Sequence, residues 1–487
     1  MQLKRPILVG GLGLSASLWL MNVVGHSPLG DGSGVLGLVA VGSGLWWLTQ
    51  RRGSASIELE PPLAIGPVDK AAVEAVVKKI ETCLDDLIAE LPEDTSADAP
   101  IHSQIAEKRA AIASLVQSLD RESLSLAVVG NKAVGKTALI EKLNADWQFD
   151  SSKSEQSNIA EVVEINGEGA LPPTDADLVL FVTAADLTNS ELKRLQTLLK
   201  AGYRTQIVFN KQDQLAPLDR QSVIQRVQTR VEDLGIGVSA IAANPNPITV
   251  RRHQENGEIE EFTEQSEPQL TALTDTLTHL TTQEAPQLVM TTTLRQAKAL
   301  LLETQQMLNA QRREQAMPIV ENMQWIAAGS AFASPLPSLD LLASTAINAQ
   351  MIVDLGAVYG QSFSMEQAKA AASTLAELLV KLGLVELSTQ ALGSLLKTHA
   401  ATYVAGGALQ GVSAAYLTRM VGISLIDFFA EQSLLAPEQR KFAFADMGDR
   451  LEVLFQAAKQ TSALKGFVDQ AINHLPQLPQ SKTAAAQ

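Results

Sequence analysis

The segment Gly130-Asn131-Lys132-Ala133-Val134-Gly135-Lys136-Thr137 satisfies G-x-x-x-x-G-K-[ST] at every fixed position. The chemistry this pattern serves is phosphate binding. Gly130 and Gly135 let the backbone curl until successive N–H groups point at one anion. The helix start that follows, Lys136-Thr137-Ala138, adds partial positive charge. Lys136 offers an ammonium to β- and γ-phosphate oxygens, and the Thr137 hydroxyl is placed to ligate Mg2+. The apolar run Leu124–Val129 precedes the loop and the helical stretch Thr137–Asn144 follows it, which is the strand–loop–helix context the motif needs.

A second group reads a base. Asn210-Lys211-Gln212-Asp213 directly follows the apolar run Gln206–Phe209. A carboxylate at Asp213 can accept from both guanine N1–H and the exocyclic amine, and adenine offers neither in that geometry. Asn210 would tie this loop to the phosphate loop, and the Lys211 stem would lie along the base. Ser239-Ala240, after the next apolar stretch, fits a short third loop whose backbone N–H meets guanine O6. The expected ligands are GTP or GDP with Mg2+.

Parallel strands would hold these loops at one edge. Leu124–Val129, Ala160–Ile165, Leu178–Val182, Gln206–Phe209 and Gly237–Ile241 alternate with helical patterns, which predicts a parallel sheet covered on both faces. Residues 123–243 thus form the expected GTP-binding domain. They resemble the Era-like, translation-factor-related class of P-loop GTPases. The strand and helix start Ala176-Asp177-Leu178-Val179-Leu180-Phe181-Val182 and Ala185-Asp186 resemble that class as well. The resemblance implies a Ras-like α/β fold.

It also exposes departures. The class carries D-x-x-G after its third strand, with the Asp reaching Mg2+ through water and the Gly bonding the γ-phosphate. No Asp lies between Ala160 and Pro173. Glu164 with Gly167, or Asn166 with Gly169, stands in its place; the first pair keeps the charge. The next residue is Glu168, where a water-orienting Gln or His would be expected. The stretch from Asn144 to Ala160 contains Ser151, Ser152, Ser154 and Ser157 but no Thr for the metal, and Ala133 replaces the Asn of potassium-stimulated members. Phosphoryl transfer rests on positioning and charge neutralisation. These residues therefore predict nucleotide binding, with Lys136, Glu164 and Gly167 in the catalytic positions. Turnover is expected to be slow, or completed by a partner protein or a GTP-dependent homodimer.

The flanks carry different physics. The chain has 487 residues, 38 basic against 53 acidic, and a net charge of −15, which argues against nucleic acid as a partner. One cysteine, Cys83, excludes a disulfide framework and a cysteine zinc site. Pro6–Val24 and Ser33–Gln50 are uncharged and mostly apolar, joined by the turn-rich Gly25–Gly32. Lys4 and Arg5 precede the first run; Arg51 and Arg52 follow the second, behind Trp46 and Trp47. About 20 apolar residues cross a bilayer, and basic outer flanks place both ends in the cytoplasm. Residues 1–52 are thus expected to form a transmembrane helical hairpin, with residues 6–50 in the lipid bilayer. The protein would be an integral membrane protein with cytoplasmic soluble domains, at the plasma membrane or, in a photosynthetic cell, the thylakoid or plastid membrane. A cleaved signal peptide is the rival reading; it lacks a small-x-small site, and a second apolar run follows at once.

Residues 53–122 read as a linker and helical stalk, 244–268 as a polar connection, 269–474 as an all-α domain and 475–487 as a disordered tail. Residues 317–435 resemble the helical domain of unknown function found in the YcjF family. The likeness is carried by Pro335-Leu336-Pro337-Ser338-Leu339-Asp340, Gln350-Met351, Leu355, Tyr359-Gly360, and the stretch from Gly406-Gly407-Ala408-Leu409-Gln410 to Tyr416-Leu417-Thr418-Arg419. The two-span hairpin joined to this domain is a second likeness. Uncharged, small-residue runs such as Trp325–Leu339 and Thr398–Thr418 fit either a close-packed soluble bundle or insertion into a membrane.

Overall fold

The computed structural model describes residues 68–92, 99–147, 159–165, 170–253, 259–333, 337–396, 406–435, 439–440, 442–460 and 463–474. The expected membrane hairpin, the 53–67 linker, the serines between 151 and 157, residues 166–169 and the tail lie outside them.

Five strands form one parallel sheet: β1 (Leu124–Gly130), β2 (Ile159–Glu164), β3 (Leu178–Thr183), β4 (Thr205–Phe209) and β5 (Val238–Ala240), in the order β2-β1-β3-β4-β5. The register sets Val128 beside Glu164 and beside Leu180. Every residue of β3 and β4 is buried, as a sheet covered on both faces requires. One face packs Leu126, Val128, Leu180 and Val208 against α3 (Lys136–Lys142). The other packs Val129, Phe181 and Phe209 against α4 (Asn189–Lys200) and α5 (Pro217–Val231). The stalk helices α1 (Lys70–Ala89) and α2 (Pro100–Ser118) precede the sheet.

Two boundaries differ from the sequence reading. Residues 244–268 contain an antiparallel hairpin, β6 (Ile248–His253) with β7 (Ile259–Glu264). The pairing is locked across the strands by Arg251 Nε to Glu261 Oε1 at 2.6 Å; polar composition concealed an alternation that a two-stranded ribbon satisfies. Helix α6 (Thr271–Gln283) falls within the expected all-α region, yet Leu273, Leu277 and Leu280 pack on the sheet face that α3 covers. A backbone bridge between Ala242 and Gln269 seats α6.

Helix α7 (Ala285–Ala333) is 49 residues long, about 74 Å at 1.5 Å per residue. Its first turns rest on the sheet through Leu288 and Val289. Arg295 is buried there, donating to Gly202 O at 3.0 Å, Thr174 O at 3.0 Å and Ala176 O at 2.6 Å, with its guanidinium 4.0 Å above the Tyr203 ring. Burial lowers the Arg295 pKa and raises that of Tyr203. The middle of α7 packs with α1 and α2 around Val73, Ile80, Leu84, Ile112 and Leu300, and Arg312 clasps Glu90 through Nη2 at 2.7 Å. Burial pushes the Cys83 thiol in this cluster up to about 11.

The last third of α7 enters a helical bundle with α8 (Pro337–Val358), α9 (Met365–Lys381), α10 (Leu384–Leu396), α11 (Gly406–Ser433), α12 (Gly448–Gln460) and α13 (Ala463–His474). Small residues permit close approach: a Cβ on Gly422 would stand 2.6 Å from Val320 and 3.1 Å from Met351 Sδ. Within α11, Leu409–Ser433 is the one stretch among the described residues long and apolar enough to cross a membrane, and 72% of that window is buried inside the protein. Its charges are paired, Asp427 with Arg313 at 2.6 Å and Arg419 with Glu321 at 3.8 Å. In this structure the small-residue faces serve packing within the bundle. Residues 398–405 of the run Thr398–Thr418 are outside the described part.

Candidate nucleotide site

Parallel strands present their C-terminal ends at one edge, and the candidate residues collect in the loops there. Gly130 leaves β1 at φ +155°, where a Cβ would stand 2.3 Å from Val182 O; the neighbouring strand's backbone leaves no room for any side chain. Gly135 takes φ +92°, and its Cβ would meet Asn210 Nδ2 at 2.4 Å. Ala133 sits at φ 62° and Lys211 at φ 61°, left-handed backbone that costs an L-residue about 1–2 kcal/mol. The two are joined, Lys211 Nζ donating to Ala133 O at 2.7 Å. Strain held by mutual contact in two loops at one edge is characteristic of a functional site.

Lys136 folds back along the loop and is 7% exposed. Its ammonium donates to Gly130 O at 3.3 Å and Asn131 O at 3.1 Å. Glu164, at the end of β2, faces it: Oε1 lies 3.8 Å from Lys136 Nζ, and Oε2 accepts from Thr137 Oγ1 at 2.9 Å. The hydroxyl and carboxylate oxygens form the hard donor set that Mg2+ takes. Gly167, and the alternative Asn166 with Gly169, are outside the described residues. Val134 is buried, Lys132 is exposed, and Ala138 packs under the loop against the core.

The base loop is joined to the phosphate loop by one buried side chain. Asn210 Nδ2 donates to Val134 O at 2.8 Å, while Oδ1 accepts from Lys211 N at 2.8 Å and Ala243 N at 3.0 Å. Asp213 Oδ2 accepts from Asn246 N at 2.9 Å. Its Oδ1 is buried and has no hydrogen-bond partner. A buried carboxylate oxygen without a donor is costly, and a guanine N–H edge is the donor type it lacks.

Ser239 and Ala240 are placed differently from the other residues. Both lie inside β5; the Ser239 hydroxyl accepts from Gln206 Nε2 at 3.1 Å and lies 3.2 Å from Thr276 Oγ1 of α6. The backbone N–H that reaches Asn210 belongs to Ala243. Sequence reasoning also missed Glu191, whose Oε1 accepts from Asn131 Nδ2 at 3.0 Å. The capping box Thr188-x-x-Glu191 was a readable signal for the start of α4, but not for that contact.

Residues 295–450, from α7 into α12, match the family described as Domain of unknown function (DUF697). No curated protein matches the chain. The chain is similar to a solved chain from an oligomerised bacterial dynamin pair described in long-range sensing and tethering of membranes. That likeness has 10% identity and a TM-score of 0.21, covering 87% of this chain and 78% of the other.

Proposed function

We propose that this chain is a membrane-anchored GTP-binding switch with slow GTP hydrolysis. One observation carries the reading: Asn210 and Lys211 donate to Val134 O and Ala133 O, so the Gly130–Thr137 loop and the Asn210-Lys211-Gln212-Asp213 loop are held side by side at one edge of the sheet. Lys136 and the loop amides hold the phosphates. Asp213 reads guanine through its unpartnered Oδ1, and Ala243 orders the third loop through Asn210. Thr137 and Glu164 hold Mg2+, which when bound neutralises phosphate charge. Residues 6–50 anchor the chain in the bilayer with the folded parts in the cytoplasm. Helix α7, rooted on the sheet by Arg295 and continuous into the bundle, carries the nucleotide state to the DUF697 region, where a protein partner or the membrane responds.

A second reading is a nucleotide-binding pseudo-GTPase serving as a membrane scaffold or assembly factor. The observation favouring it is Glu164, a carboxylate set against Lys136 where turnover needs charge neutralisation. Single-turnover hydrolysis of GTP by the full chain in lipid nanodiscs separates the two, with Lys136→Ala as control. Hydrolysis abolished by Lys136→Ala establishes the switch, whereas tight GTP binding without hydrolysis establishes the scaffold.

A further inference from the structure

We infer that Glu191 is a positioning residue for the phosphate loop, acting through Asn131 to set the Lys136 ammonium. The inference rests on the nucleotide reading above and assigns a role that the loop motif does not contain.

A helix cap alone does not explain Glu191. Capping the first turn of α4 uses one carboxylate oxygen: Oε2 accepts from Thr188 N at 2.9 Å and from Thr188 Oγ1 at 2.7 Å. Glu residues in capping boxes ordinarily keep the other oxygen in water. Here the side chain is only 5% exposed, and Oε1 is given to Asn131 Nδ2 at 3.0 Å. Burying a carboxylate costs several kcal/mol unless its oxygens are satisfied, so the carboxylate and the Asn131 amide hold each other in one orientation. Asn131 is the first variable residue of the phosphate loop, and its own carbonyl accepts from Lys136 Nζ at 3.1 Å. The chain of contacts therefore runs from the α4 cap to Glu191, to Asn131, to the lysine that meets phosphate. Hydrogen bonds to a carboxylate are stronger and better directed than neutral ones, which suits a contact that must fix a loop between two left-handed kinks.

The test uses the full chain in detergent with GDP and Mg2+, measured by calorimetry, together with the unfolding temperature of the nucleotide-free protein. Asn131→Ala leaves the α4 cap intact and should weaken GDP about 10-fold; it also leaves the buried Glu191 Oε1 without its donor, so the unfolding temperature should fall by about 2–10 °C. Asn131→Asp sets two carboxylates together and should weaken GDP about 100-fold. Adding Glu191→Gln to Asn131→Asp restores a donor–acceptor pair in reverse, because the Gln amide donates to the new carboxylate while its carbonyl keeps both Thr188 donors. That double variant should recover to within about 10-fold of wild type. Unchanged GDP affinity in Asn131→Ala and Asn131→Asp would overturn the inference. So would a double variant whose unfolding temperature recovered while its GDP affinity stayed no tighter than that of Asn131→Asp. If the wild-type chain bound no GDP, the nucleotide reading itself would fall; if the wild type bound and the variants matched it, only the positioning role would.

Discussion

Replacing Glu164 by Gln should invert the way nucleotide binding depends on Mg2+. The substitution keeps an oxygen for the Thr137 hydroxyl, 2.9 Å away, and removes only the charge. At 3.8 Å and an effective dielectric of about 20, the Lys136–Glu164 attraction is about 4 kcal/mol. A phosphate seated on Lys136 meets repulsion from Glu164 of the same order. Glu164 is 24% exposed, so water offsets part of this and about 1.5–3 kcal/mol remains, or ~10–100-fold in affinity. Without Mg2+, Glu164→Gln should therefore bind GDP ~10–100-fold tighter than wild type. With saturating Mg2+ the order reverses, because the cation loses an anionic neighbour, and the variant should be about 10-fold weaker. Calorimetric titration of GDP in EDTA and in Mg2+ measures all four constants. Equal affinities of variant and wild type in EDTA would show that the Glu164 charge does not act on the phosphate. The role would then pass to Asn166 and Gly169.

Three further outcomes follow from the same geometry. Asp213→Asn gives the guanine edge a donor where it needs an acceptor and should cost GTP at least about 100-fold, with ATP affinity unchanged, in a competition assay. Gly135→Ala forces an L-residue to φ +92° and sets a Cβ 2.4 Å from Asn210 Nδ2. It should lose about 2–3 kcal/mol of stability in denaturant unfolding and most of the nucleotide affinity. Cys83, with its pKa pushed from 9.0 to about 11, should alkylate at pH 8 about 100-fold more slowly than an unfolded control, since the thiolate is the nucleophile. The sign follows from the raised value: the folded state favours the neutral thiol, so any stability it confers is complete below the unfolded pKa and is lost as pH rises toward 11.

Much of the half built on the parallel sheet was legible because its physics is local. Buried parallel strands read as mostly apolar runs, interrupted here by Ser125 in β1 and Gln206 in β4, so β1, β3 and β4 emerge within a residue of their observed ends. A phosphate loop needs glycine where backbone must pass backbone, and Gly130 meets Val182 O for that reason. What stayed hidden was relational. The Ala243 N–H has no side chain to announce it, and Ser239 lies inside β5 rather than in a loop after it, with its hydroxyl turned to α6. Helix α6 looked like the rest of the helical region, because an apolar stripe does not say whether it covers a sheet or another helix. Glu191 reads as an ordinary cap until the fold brings Asn131 to its second oxygen. The small-residue helices admitted two environments from composition alone; the packing of Gly422 on Val320 and the paired charges of α11 show how a bundle uses them.

On the proposed function, Lys136 holds phosphate and Asp213, in the neighbouring loop, reads guanine. Calorimetry of the full chain in nanodiscs with GDP, ADP and Mg2+, beside Lys136→Ala, tests it most directly. The expected result is micromolar or tighter GDP binding, at least ~100-fold weaker ADP, and no binding by Lys136→Ala. Equal affinity for GDP and ADP would contradict the guanine reading, and binding that survived Lys136→Ala would contradict the assignment of the phosphate loop.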